Sequence, residues 1–182
     1  MVKFALRMFL VGGLMGVCTA TAMAQTTVLL PDTSQTTTLT ATVSEQARVT
    51  VPAGVTFTVT DLTASTAAPA ASVSISNIAL ASATKQLKLS LQANAASFTP
   101  PVVSSTTWSA SDVSWNAATW TSATGSSGTL SSASYNTVAT CDADAGSCNS
   151  TGLVFTLAPK SGVKRSGNHT LVVTWKFESI GS

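Results

Sequence analysis

Few residues in this sequence have types and spacings that could do chemistry. Cys141 and Cys148 stand seven positions apart in CDADAGSC, and the third cysteine, Cys18, lies in the first twenty residues. A zinc site wants about four ligands, and His169 is the sole histidine of the chain. A redox pair is usually C-x-x-C. A structural disulfide between Cys141 and Cys148 is the reading these arguments favour. In the chain-entropy picture it would stabilise the fold by roughly 2 kcal/mol. Asp142 and Asp144 inside the loop could hold Ca²⁺ with backbone oxygens, but the further spaced acids of an EF-hand are missing. Two solvated turn aspartates are the better account, and no metal or other cofactor is expected.

Nucleophilic catalysis needs a base beside a Ser or Cys. His169 follows SGN at the start of an apolar stretch, which suits an exposed strand-end residue better than a base. Paired carboxylates are the other route, yet the acids are few and fall mostly in turns. No Gly-rich phosphate loop occurs, so the sequence reads as a protein that is not an enzyme. Lys160, Lys164 and Arg165 make a small basic turn in APKSGVKRSG, read as solvated, with an anion or surface contact as the sharper alternative. Of the tryptophans, Trp115 and Trp175 sit in alternating runs that imply core packing. Trp108 and Trp120 lie nearer loops, where exposed rings could stack on sugars, although buried rim tryptophans are commoner. NST (149–151) and NHT (168–170) match the glycosylation pattern, which matters only in a eukaryotic secretory pathway.

The elements that must position these residues begin after a leader. MVKFALR supplies Lys3 and Arg7, an apolar run FLVGGLMGVC follows, and TATAMA ends in small residues before Gln25. That order is a secretory signal peptide over residues 1–24. Its apolar run is shorter than the roughly 20 residues a membrane span needs. A lipoprotein signal on Cys18 would want a small residue before the cysteine, and Val17 is not one. No later run has spanning length, so no integral membrane segment is expected after cleavage. Export implies passage through a periplasm to the cell surface or the medium.

Residues 25–182 then form one domain, with 25–37 as an extended N-terminal segment. Their seven basic residues balance their seven acidic ones, so the net charge of +2 comes from the leader. Nucleic-acid binding would need a basic stripe, and none is present. Low charge with abundant Ser, Thr and Ala is poor for colloidal solubility and suits a protein that ends in an assembly.

Period-two alternation recurs along the chain and marks strands. TLTATV (38–43) puts Leu39, Ala41 and Val43 on one face. RVTV and VTFTVTDL (55–62) flank the turn PAG. SVSISNIAL (72–80), QLKLSLQA (86–93), DVSWN, GTLSS, SYNTVAT and GLVFTLA follow. The chain closes on HTLVVTWKF, with Leu171, Val173, Trp175 and Phe177 on one side. The stretches 65–72, 96–111 and 121–129 read as connections. About nine or ten short strands, with no sustained helical period, predict an all-β, Ig-like antiparallel β-sandwich.

The succession TLTATVSEQARVTV, KQLKLSLQA, DVSWN with GTLSSASYNTV, and LVFTLAPKSGVKRSGNHTLVVTWKF resembles bacterial fimbrial subunits. The likeness is especially to the major pilins of the alternate chaperone–usher type. The resemblance spans most of residues 25–182 and rests on pattern. CDADAGSC is an insertion relative to that pattern, and the segment 25–36, interrupted by Pro31, is long for it. In such pilins the fold is incomplete and a neighbour's N-terminal strand fills the gap. The resemblance therefore implies a homopolymer, assisted by a periplasmic chaperone and an outer-membrane usher. It implies a groove flanked by Leu171, Val173, Trp175 and Phe177. Its occupants would come from TTVLLP, through Val28 and Leu30, or from TLTATV, through Leu39, Ala41 and Val43. The alternative is a self-contained secreted binding module or adhesin, using Trp108 and Trp120 on carbohydrate. TLTATV could equally close its own sandwich; periodicity does not distinguish the two.

Overall fold

The computed structural model describes residues 27–181, in two compact units, Met1–Ala41 and Thr42–Ser182. The expected leader at 1–24 lies outside the described residues. In the first unit, residues 27–41 contain no strand, and Leu29, Leu30 and Leu39 stand in solvent. A local turn forms around Asp32. Its Oδ1 accepts from the Ser34 amide (3.0 Å) and hydroxyl (2.6 Å), and its Oδ2 from the Gln35 side-chain amide (2.8 Å).

The second unit is all-β. Its strands are β1 (Gln46–Thr50), β2 (Thr66–Ala67), β3 (Ala71–Ala79), β4 (Gln86–Ala93), β5 (Val113–Trp115) and β6 (Ala123–Gly125). They continue as β7 (Gly128–Thr129), β8 (Asn136–Cys141), β9 (Cys148–Leu153), β10 (Phe155–Leu157) and β11 (Val173–Ile180). Three sheets form, ordered β1-β3-β9, β2-β10-β5-β7 and β11-β4-β8-β6. Each ladder is antiparallel. The first two sheets are consecutive along one run of chain, since only Val154 separates β9 from β10.

Alternation explains why these stretches pair. In β3, Val73 and Ile75 are buried while Ser72 and Ser74 face out; in β4, Leu87, Leu89, Leu91 and Ala93 are buried. These residues meet Val138 of β8, Leu153 of β9 and Phe155 of β10 in one apolar cluster. Burying each large aliphatic side chain contributes about 1.5–3 kcal/mol, so a β-sandwich of this size has a real core. Cys141 at the end of β8 is joined to Cys148 at the start of β9, with their Cα atoms 5.9 Å apart and both side chains buried. The expected disulfide therefore closes the β8–β9 connection. Asp142 and Asp144 project from it into solvent.

Some expected elements differ. VTFTVTDL alternates as predicted, with Phe57 and Val59 half-buried, yet residues 51–65 belong to no ladder. TLTATV is likewise outside every strand. Conversely, the stretch 121–129, read as a flexible turn, contributes β6 and β7. There Gly125 and Gly128 admit the indoles of Trp120 and Trp115. A Cβ would stand 2.8 Å from Trp120 Cδ1 at the first position and 2.5 Å from Trp115 Cζ2 at the second. Glycine here is a packing requirement that periodicity does not register.

Candidate functional site: an open slot beside the last strand

β11 is an edge strand. Across its whole length, Val173↔Ala93 to Ile180↔Gln86, it pairs with β4 on one flank. Among the described residues its other flank pairs with no strand. Every residue of β11 is half-exposed, in contrast with the deeply buried β4 beside it. An edge of this length presents unmatched N–H and C=O groups, which invite another chain.

Facing that edge across a slot runs the segment Val51–Leu62. Its residues alternate in sequence but belong to no ladder. Among the described residues its backbone joins a neighbouring chain segment at Leu62, whose carbonyl accepts from the Lys160 amide (2.8 Å). Between the two flanks the slot opens a volume of about 1160 Å³. Its floor is the core itself, including Leu91, Trp108, Val113, Leu130 and Phe155. Its apolar walls are Phe57 and Val59 on one side and Leu171, Val173 and Trp175 on the other. The volume is partly open to solvent and is bordered by the start of β11 and by the segment Val51–Leu62, which belongs to no ladder.

The end of the slot that leads into β11 is built by the loop 163–172. Val163 is buried there. His169 fastens this loop: Nδ1 and the Thr107 hydroxyl are 2.8 Å apart, and Nε2 is 3.1 Å from the Arg165 carbonyl oxygen. Its ring stands edge-on to Trp108 at 5.2 Å. Thr170 exchanges backbone hydrogen bonds with Thr99, and Asn94 donates to the Val172 carbonyl. His169 thus holds a loop. Lys160, part of the basic turn, is not free: its Nζ lies 2.7 Å from Asp112 Oδ2. Partial burial pushes the Asp112 carboxyl up, but the bonds from Lys160 and from Ser109 outweigh it and hold its pKa below the usual carboxylate range. Lys164 and Arg165 form no ion pair among the described residues.

The residues expected to flank a groove lie in and just before β11. Leu171, Val173, Trp175 and Phe177 all pack against the core, the first three lining the slot, and Trp175 stacks on Phe177 with centroids 6.3 Å apart. The strand-exchange candidates are largely exposed. Leu39 is 92% exposed and Val43 72% exposed, while Val28 is half-buried and Leu30 and Ala41 lie in solvent.

Trp108 and Trp120 require a correction. Both are core residues, 4% and 9% exposed, so neither offers a ring face for a sugar to stack on. The Trp108 indole N–H donates to the Ala158 carbonyl (3.0 Å) from beneath the slot, and Trp120 is sealed by Gly125. Proximity to loops in sequence is no guide here: His169 of the loop 163–172 lies edge-on to Trp108, and Gly125 of β6 packs on Trp120.

Segment 51–62 was the part of the site that periodicity hid, since a strand without a partner has the same alternation as a paired one. Comparison of the chain with protein-family models, with curated proteins and with solved structures found no match. Among the described residues no helix is long and apolar enough to cross a membrane.

Proposed function

We propose that this protein is an exported structural subunit of a bacterial surface fibre, in which copies are joined by strand addition. The observation that carries the reading is the slot between β11 and Val51–Leu62, with unpaired backbone on both sides and the core as its floor. The proposed occupant is the N-terminal segment of a second copy. Thr36–Val43 matches it in three ways. It is eight residues long, as is β11. It contains no proline, so every amide can enter a ladder. It alternates Leu39, Ala41 and Val43, which in the structure lie exposed and unpaired. TTVLLP is the poorer candidate, because Pro31 ends it with a residue that cannot donate.

The physics is that of folding in trans. Backbone hydrogen bonds supply affinity and alternate side chains fill pockets. Leu39 and Val43 each exchange water for the core, worth about 1.5–3 kcal/mol apiece. The completed contact is then as durable as the domain. A periplasmic chaperone would be needed to cover the slot before assembly, and an outer-membrane usher to order the exchange. A binding module built on Trp108 and Trp120 loses its support once both rings are buried.

The test is direct. The chain from residue 25, purified and concentrated, is expected to form a ladder of multimers that survive detergent at room temperature and collapse on boiling. Deleting residues 25–43 should leave only monomer. A full-length chain that stays monomeric at high concentration, with its slot protected, would overturn the reading.

A further inference from the structure

Resting on that strand-addition reading, we infer that the incoming strand is held in register by an ion pair at the mouth of the slot. The pair joins Glu45 of the donor copy to Lys164 and Arg165 of the acceptor. The charges are distributed for it. Among the residues lining the slot, only Lys164 and Arg165 are charged at neutral pH, and both are positive. Along residues 27–45 of the donor, the charged residues are Asp32 and Glu45, both negative.

The sense of the strand decides which acid arrives. Every ladder in this domain is antiparallel. If Thr36–Val43 runs antiparallel along β11, Val43 lies opposite Val173 and Thr36 opposite Ile180. Glu45 then extends two residues past Val173, at most about 7 Å, onto the loop that carries Lys164 and Arg165. In the parallel sense Asp32 would reach that loop instead.

Glu45 is prepared for this contact. In its own copy a single oxygen, Oε1, accepts from the Ala81 amide (2.8 Å), Lys85 Nζ (3.2 Å) and the Ser179 hydroxyl (3.1 Å). Those three bonds fix the carboxylate where the segment leaves the body, while Oε2 takes no bond among the described residues and the side chain is 37% exposed. Ser179 also locates this exit at the Ile180 end of β11, the pole opposite Lys164 and Arg165. The antiparallel sense therefore joins unlike poles. That is a heterologous contact, which leaves each copy's segment free for the next and propagates as a fibre unless its rotation closes a ring. The parallel sense would join like poles and favour a closed pair.

A fluorescent peptide of residues 30–46 tests this against the refolded, still monomeric full chain, so that each charge on the donor side is changed without disturbing the body of the protein. The wild-type peptide should bind, and the acceptor variant K164E/R165E should weaken it by about three- to tenfold at low salt. The loss should shrink in 1 M salt, where the screening length is about 3 Å. Glu45→Lys in the peptide should restore binding to the reversed acceptor, and Asp32→Lys should not. Restoration by Asp32→Lys alone, or indifference of binding to the acceptor charges, would overturn the register. Failure of every peptide to bind would instead sink strand addition itself.

Discussion

The slot is a consequence of individual side chains whose neighbours are missing on one side, and the first predictions belong to them. Leu39 is almost wholly exposed in the chain by itself. If its place is in a neighbour's slot, Leu39→Asp should abolish multimers, because a carboxylate would be buried without a partner. The same variant should leave the melting temperature of the monomer unchanged, which calorimetry checks. A position inside the body behaves oppositely. A methyl group at Gly128 would press on Trp115, whose indole N–H donates to the Ser126 carbonyl (2.9 Å). Gly128→Ala should therefore cost about 1–3 kcal/mol in denaturant unfolding. The Asp112–Lys160 pair links charge to the loop architecture. With the folded pKa of Asp112 below its unfolded value, the unfolded chain binds the proton more readily. The pair's contribution is then full above the unfolded pKa and is lost as pH falls through the folded one. Stability of the wild type should fall more steeply on acidification below about pH 4 than that of Asp112→Asn. Parallel slopes for the two proteins would remove Asp112 from the account.

At the scale of elements, the sequence was a good guide to which stretches are extended and a poor one to which are paired. QLKLSLQA and SVSISNIAL became β4 and β3 because their apolar faces close on one cluster. VTFTVTDL carries the same signal and remains unpaired, because pairing depends on a second strand that alternation cannot name. β6 and β7 escaped notice for the converse reason: SATGSSGT has glycines where indoles pack, so its fitness for a sheet lies in what it omits. The disulfide was readable from spacing and compartment, whereas the burial of Trp108 and Trp120 depended on tertiary neighbours, His169 for the first and Gly125 of β6 for the second. An element-scale prediction uses the unpaired state of TLTATV. Ala41→Pro removes one amide and fixes one dihedral in a stretch that belongs to no ladder in the chain alone. The monomer should fold as before, but multimer ladders on unboiled gels should shorten sharply. Undiminished ladders would show that this stretch is not the added strand.

Taken as a whole molecule, the domain is a sandwich with a core open along one flank, and its stability should depend on how much of itself is present. Anything that binds the folded state alone raises stability by mass action, about 2.7 kcal/mol when the free ligand reaches one hundred times its dissociation constant. Under the proposed strand addition the ligand is another copy. The melting temperature of the chain from residue 25 should climb with protein concentration, while that of a chain lacking residues 25–43 should stay flat. Adding a free peptide of residues 36–45 should lift the truncated protein toward the value of the concentrated whole chain. That last comparison separates two causes of a low melting temperature. If the truncated domain is weak only because its slot is empty, the peptide restores it. If it is weak because deletion damaged the fold around β1, no concentration of peptide will, and the open flank would then be a property of the surface rather than the seat of assembly.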